Sequence, residues 1–165
     1  MSTLTDLMSP AIFSEDRRYR YLLSRRVGLA DGEVLFIMLN PSTANEIADD
    51  PTIRRCKGFA RDWGYGVLTV CNLFAYCTAD PDVLRRVDDP VGPDNDAHIA
   101  TAASRAAIIV CAWGAFKEAA ERAIEVQGDL RRAGRTPMCL GLTATGHPKH
   151  PLYIPKTQPL QEWTK

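Results

Sequence analysis

The chain has 165 residues, 45% apolar and 24% charged, which suits one globular domain and excludes collagen, coiled coil and disorder as its main architecture. Lys and Arg number 20 against 20 Asp and Glu, so a uniformly basic, counterion-releasing nucleic-acid binder is not the default. No run of about 18 apolar residues predicts a membrane helix. Met1–Pro10 lacks a basic segment followed by an apolar one, so no secretory leader is expected. A cytoplasmic location is expected. The five cysteines, Cys56, Cys71, Cys77, Cys111 and Cys139, are widely spaced, with no C-x-x-C pair. They read as reduced thiols, mostly in the core, rather than as metal ligands.

Residues 17–26 alternate, with Tyr19, Tyr21 and Leu23 on one face, and predict an edge strand whose arginines meet solvent. Asp31-Gly32 marks a turn. Residues 34–39, 67–73 and 107–112 are apolar runs too short for helices, and 138–142 is a weaker one. They predict strands buried on both faces. Helical spacing covers 51–63, with Pro51 in the first turn and Asp49 or Asp50 as its cap, and also 94–105 and 115–133. Strands alternating with helices predict an α/β fold: a three-layer α/β/α sandwich. Its sheet is mainly parallel, with about four strands plus an N-terminal edge strand or hairpin. The whole of 1–165 reads as a single domain, with 1–11 loosely ordered.

In such folds ligands bind beyond the carboxyl ends of the strands. After the first buried strand come Asn40, Pro41 and Ser42, which either make a plain turn or line a pocket. After the second, Asn72 falls in an apolar run, and a buried amide needs partners. It either bonds nearby backbone or reads the amide edge of a base, with Phe74 and Tyr76 as stacking candidates. Trp113-Gly114 follows the third strand and can form an apolar wall with close backbone approach. After the fourth, Gly146 to Tyr153 holds His147, Lys149 and His150. A histidine on a rigid loop suits a general acid or an electrostatic stabiliser near neutral pH. A metal site is not expected there, for no third ligand is indicated.

Charge is uneven. Residues 131–165 hold six Lys or Arg and one acid, Glu162, whereas 80–96 hold six Asp with only Arg85 and Arg86. The P-loop, dinucleotide and nucleophile-elbow motifs are absent, so NTPase, oxidoreductase and serine-hydrolase readings lose their support.

The ordered set FIMLNPST (36–43), DDPTIRRC (49–56), WGYG (63–66), NLFAYCTADP (72–81), PVGPDND (90–96), AWG (112–114) and GHPKHPLY (146–153) resembles a bacterial and phage family. It is the domain-of-unknown-function family numbered sixteen forty-three, and the likeness runs over about 12–155. A more distant resemblance is to the uracil-DNA glycosylase superfamily. Asn40-Pro41-Ser42 is similar to its first motif, Asn72 to its base-reading asparagine, and His150-Pro151 or His147-Pro148 to its histidine loop. The chain departs from that superfamily in having Asn40 rather than Asp, and Pro-Leu-Tyr after His150. No obvious residue would fill the gap left by a flipped base, which turns expectation away from duplex DNA.

The resemblance implies a DNA glycosylase-like hydrolase that binds a nucleobase and needs no cofactor or metal. Asn40 and His150 would be catalytic, and Pro41, Ser42, Asn72, Phe74, Tyr76, Trp113, Gly114, His147, Lys149 and Tyr153 would bind substrate. Lys149 and Lys156 would hold phosphates. Nucleic acid or nucleotide would be the partner, with no membrane. A non-catalytic nucleotide or nucleic-acid binder using the same pocket is the alternative, and an interaction module the second.

Overall fold

In the computed structural model, residues 11–164 are described. The proposed loose segment 1–11 therefore lies outside the described residues, except for Ala11, which opens a strand. The strands are β1 (Ala11–Phe13), β2 (Arg20–Arg26), β3 (Glu33–Met38), β4 (Val67–Asn72), β5 (Ile108–Cys111), β6 (Pro137–Cys139) and β7 (Gln161–Glu162). They form one mixed sheet of order β1-β2-β4-β3-β5-β6-β7. β4, β3, β5 and β6 run parallel, and β1–β2, β2–β4 and β6–β7 pair antiparallel. The four parallel strands are those expected. The sheet is larger than expected: the N-terminal element is the two-stranded hairpin β1–β2 of the two alternatives, and β7 adds a strand at the other edge.

Three helices connect the parallel strands: α1 (Pro51–Asp62), α2 (Asn95–Arg105) and α3 (Ala120–Arg132). The period of two along β3 sorts the core into two layers. Val34, Phe36 and Met38 pack with Ile53, Cys56, Phe59 and Ala60 of α1. Leu35 and Ile37 pack with Ile99, Ala102 and Ala103 of α2 and Ala123, Val126 and Leu130 of α3. Helices on both faces explain why the parallel strands read as unbroken apolar runs. Cys56, Cys71, Cys111 and Cys139 are buried, and all five cysteines are free thiols. Burial pushes the Cys71 thiol up to about 12, and those of Cys56 and Cys111 up as well, which keeps them protonated. No helix among the described residues is long and apolar enough to cross a membrane.

The N-terminal strand corrects one expectation. β2 is not an edge strand, since β1 flanks it on one side and β4 on the other. Arg20–Leu23 are also buried on both faces, and Arg20, expected in solvent, is only 2% exposed. The edge is the β1–β2 hairpin. The C-terminal helix begins later than its pattern, at Ala120, after a 3-10 turn over Lys117–Ala119.

At the opposite end of the sheet, the start of β4 crosses closely over residue 30. An alanine Cβ at Gly66 would stand 1.6 Å from the Ala30 carbonyl oxygen, a backbone atom that cannot swing aside. Gly66 also donates to the Gly32 carbonyl and accepts from Val27. Gly66→Ala should therefore destabilise the fold by ~3 kcal/mol or more, the upper range for overpacking. A urea midpoint unchanged from wild type would contradict this.

Candidate functional site

β3 leads through α1 to β4, on one side of it in the sheet, while β5 leads through α3 to β6, on the other. Such a reversal leaves a crevice beyond the strand ends. A cavity of about 200 Å³ lies there. Asn40 enters it from the end of β3, Asn72 from β4, Trp113 from β5 and His150 from the C-terminal loop. Arg20 of β2 and Asp50, the cap of α1, complete the polar lining. Met38, Leu39, Ile53 and Val70 supply apolar wall, and Ser42, Thr52 and Thr78 supply hydroxyls.

Three deeply buried donors meet no acceptor in the protein: Arg20 Nε, Asn72 Nδ2 and Trp113 Nε1. Their residues are 2%, 1% and 2% exposed, and all three line the same cavity. An unmet buried donor costs about 1–3 kcal/mol, so natural folds rarely keep one without a reason. The three are rigidly placed. Arg20 Nη1 donates to the Ala44 carbonyl at 2.9 Å. Burial pulls the Arg20 pKa down, while Cys77 and the Asp50 charge oppose that. The carbonyl of Asn72 is gripped by Asn95 Nδ2 at 2.9 Å. Leu73 O accepts from both Asn95 Nδ2, at 3.2 Å, and the buried Arg122 Nε, at 2.9 Å. Trp113 abuts Trp163 edge-on, with ring centroids 5.0 Å apart.

Asn40 has a defined orientation. Its Nδ2 donates to Pro41 O at 2.9 Å and to Thr78 O at 2.8 Å. Both amide protons are thus spent on backbone, and Oδ1 alone is left to meet a ligand. Asp50 Oδ1 accepts from Ile53 N at 2.9 Å, which locks the carboxylate beside the cavity.

His150 Nδ1 accepts from the Leu152 amide at 3.3 Å, so the neutral ring carries its proton on Nε2. Its loop is tied down from several sides. Gly114 N donates to Pro148 O at 2.8 Å, and Lys149 N to Gly141 O at 3.0 Å. Arg55 of α1 donates from Nε to Pro151 O at 3.3 Å and from Nη2 to Ile154 O. Gly114 has φ +78°, a conformation that favours glycine.

Of the residues expected from sequence, Asn40, Ser42, Asn72, Trp113 and His150 come together in the cavity. The others do not line it. Pro41 is buried beside it and serves through its carbonyl, which takes Asn40 Nδ2 and Thr78 N. Phe74 packs in the core layer of α2 and α3, and Tyr76 meets Tyr19 edge-on at 5.9 Å, so neither is placed to stack on a ligand there. Both lie beyond the end of β4, where the chain turns into the layer of α2 and α3. Gly114 anchors the histidine loop through its amide. His147 closes a turn with Thr143 instead of facing the cavity. Lys149 is exposed, and Tyr153 is 85% exposed, its ring 6.2 Å from that of His150. No group of three or more His, Cys, Asp or Glu that could hold a metal occurs among the described residues.

Sequence reasoning missed Arg20 and Thr78 and gave Asp50 only a capping role. The family model of a protein of unknown function, DUF1643, matches residues 20–152. The chain belongs to this family. No curated protein and no solved structure gives a significant match. The DUF1643 span opens on Arg20 and closes two residues beyond His150, so every residue lining the cavity lies inside it.

Two histidines are held below the ordinary range. Burial is the main cause for His150, opposed by Asp50, and for His98, opposed by Asp94. His98 stacks on Tyr21 with centroids 4.9 Å apart. Unfolded, each ring takes a proton near pH 6.5; folded, only at lower pH. Between those values the unfolded chain binds more protons. Stability should therefore be complete above about pH 6.5 and fall as the pH drops from there towards the folded values. Urea titrations at intervals from about pH 7.5 to 5 should show this slope, and His98→Phe with His150→Gln should flatten it. A wild-type profile already flat over that window would refute the assignment.

Proposed function

We propose that the DUF1643 cavity binds a nucleobase and that the protein is a nucleobase-directed N-glycosidic hydrolase. The observation that carries this reading is that three residues with a buried, unpartnered donor all line one small cavity. They call for a ligand with several acceptors along one edge. A nucleobase has oxo groups and ring nitrogens in that arrangement. About 200 Å³ is below the ~300–1,000 Å³ of pockets for drug-sized ligands and suits one small heterocycle. Trp113, rather than Phe74 or Tyr76, supplies the aromatic wall. The likeness to the uracil-DNA glycosylase superfamily supports the same reading, since the matching Asn40, Asn72 and His150 all line this cavity.

The chemistry follows from the free atoms. Asn40 Oδ1, its only unspent polar atom, would accept from a water and orient it towards the sugar carbon. The carbon–nitrogen bond breaks and a carbon–oxygen bond forms, and Asp50 is the carboxylate in the cavity able to take the water's proton. The electron pair leaves with the base. Neutral His150 would donate from Nε2 to the departing base and stabilise its negative charge. Preorganised donors of this kind are worth a few kcal/mol each at the transition state. Asn40 itself supports the binding-only alternative as well, because an amide cannot take a proton at neutral pH.

A base-release assay on oligonucleotides carrying uracil, hypoxanthine, xanthine, 5-substituted uracils and mismatches separates these readings. Wild type should release at least one base, and Asn40→Ala and His150→Ala should each lower the rate by ~100-fold or more. Nucleobase-induced melting shifts without release from any substrate would leave the binder. Neither shift nor release would overturn both readings.

Arg20 gives a separate test. It is buried without a carboxylate in ion-pair contact, so its removal sacrifices little beyond the bond to Ala44. Arg20→Met should change unfolding free energy by less than about 1 kcal/mol, because an apolar replacement for an uncompensated buried charge is often neutral. It should nevertheless abolish the nucleobase-induced melting shift. A variant that keeps the shift would remove Arg20 from the site.

A further inference from the structure

A groove of about 340 Å³ runs along α1 beside the cavity, lined by Arg54, Arg55, Arg61 and Lys156, together with Gly58 and Leu152. The two sites share their walls. In the first turn of α1, Thr52 and Ile53 face the cavity while Pro51, Arg54 and Arg55 face the groove. On the histidine loop, His150 faces the cavity and Leu152 the groove.

The groove cations differ from those elsewhere on this helix. Lys57 is held by Asp49 at 2.8 Å. Arg54 spends only Nη1, on Asp49 O at 3.2 Å, and Arg61 only Nε, on Val27 O at 3.2 Å. Among the described residues neither these two nor Lys156 forms an ion pair with a carboxylate. Gly58 is a second, independent sign. A mid-helix glycine weakens a helix, yet a Cβ at Gly58 would meet nothing within 4 Å, so packing does not require it. Its effect is to leave bare backbone on the groove floor, open to close approach.

A ligand that reached both ends of the groove through phosphates would need more than one. Arg54 and Arg61 are seven residues apart on one helix, or ~10 Å along its axis, too far for one phosphate to meet both. Tyr153, 85% exposed, follows the groove residue Leu152 and holds its ring 6.2 Å from that of the cavity residue His150. A positive groove beside an exposed aromatic ring is the arrangement that binds unpaired strands, because bases can stack only where they are not already paired.

We propose that this groove is a track for single-stranded nucleic acid. Its phosphates lie on Arg54, Arg61 and Lys156, one base stacks on Tyr153 and its neighbour turns into the cavity. This assignment rests on the nucleobase reading above and adds that the base arrives on a polymer, not as a free nucleoside. Arg55 is a positioning residue, for it holds the histidine loop.

The test is fluorescence anisotropy over a range of salt concentrations. Labelled single-stranded DNA, single-stranded RNA and a DNA duplex serve as ligands, and heparin as a plain polyanion competitor. A single strand should bind more tightly than the duplex, with the DNA and RNA arms naming the sugar. The double variant Arg54→Ala/Lys156→Ala should bind ~10-fold or more weakly and lower the salt slope by about two. Tyr153→Ala should weaken binding by ~5-fold or more without changing that slope. Gly58→Leu should block the groove, and all variants should melt as wild type does. Unchanged affinity and slope in the double variant would overturn the track, as would duplex or heparin binding as well as the single strand. The two readings fail separately. Loss of strand affinity in the double variant, with no base released by wild type, keeps the track and removes the hydrolase. A nucleobase melting shift, with strand affinity indifferent to the double variant, removes the track alone.

Discussion

A guanidinium taken out of water without a carboxylate against it is the constraint on which this end of the molecule depends. Arg20 is 2% exposed, bonded to one backbone carbonyl and otherwise turned to a cavity. Such a group is tolerable only if the surroundings are rigid enough to keep it from reaching solvent. The β1–β2 hairpin and β4 enclose its strand, and the loop at Ala44 covers its tip. That loop is pinned in turn by Asp49, which bonds Arg25 of β2 and Lys57 of α1, both at 2.8 Å. Hydrogen bonds to both partners hold the Asp49 carboxyl below the ordinary range against the opposing effect of its burial. The ion-paired network is therefore a frame around a charge deliberately left unpaired. Sites that must bind charge or polar edges are commonly less stable than they could be, for this reason.

The same logic governs the end of β4. Asn95 opens α2 fully buried, and its Nδ2 bridges the carbonyls of Asn72 and Leu73. Arg122 of α3, also buried, adds Nε to Leu73 O and reaches Asp96 with Nη2. Two helices on the far face of the sheet thus fix the backbone from which the Asn72 amide projects to the near face. Trp163 does a similar job for Trp113 from the C-terminal segment, where Arg131 Nη2 holds its carbonyl at 2.6 Å. Elements outside the cavity thus fix its wall, which is how a small α/β domain keeps three residues with unmet donors side by side.

The parallel strands and all three helices were legible in the sequence, because unbroken apolar runs and 3.6-residue spacing report burial directly. Pro51 was legible as a helix start for the same local reasons, with the cap left between Asp49 and Asp50, and the structure selects Asp50. β1 and β7 were not, being three and two residues long and held by tertiary pairing alone. Asn40, Asn72, Trp113 and His150 were legible as cavity-lining residues because each lies at or beyond the end of a predicted strand. Arg20 was missed because an arginine in an alternating strand looks solvent-facing; its burial depends on a hairpin partner that has no signature of its own. Phe74 and Tyr76 were misplaced by strand direction. Once β4 ends at Asn72, the chain turns towards α2, and their rings follow it into the opposite layer. The choice between His147 and His150 could not be made from spacing, since it is set by which one Gly114 and Arg55 hold against the cavity.

The N-terminal turn of α1 then gains a meaning beyond capping. Asp50 faces the cavity, Arg54 the groove, and Arg55 joins the helix to the histidine loop. One turn of helix therefore carries a negative group towards the cavity and positive groups away from it. That separation explains how a chain of zero net charge can present a basic surface beside its pocket. Field at the site depends on where charges stand and which are already paired, not on their sum. Nine arginines and lysines among the described residues are neutralised by ion pairs, whereas those of the groove are not. Overall charge balance excludes a uniformly basic binder and leaves room for a local one, placed where a polymer would have to lie for one of its bases to reach Asn72.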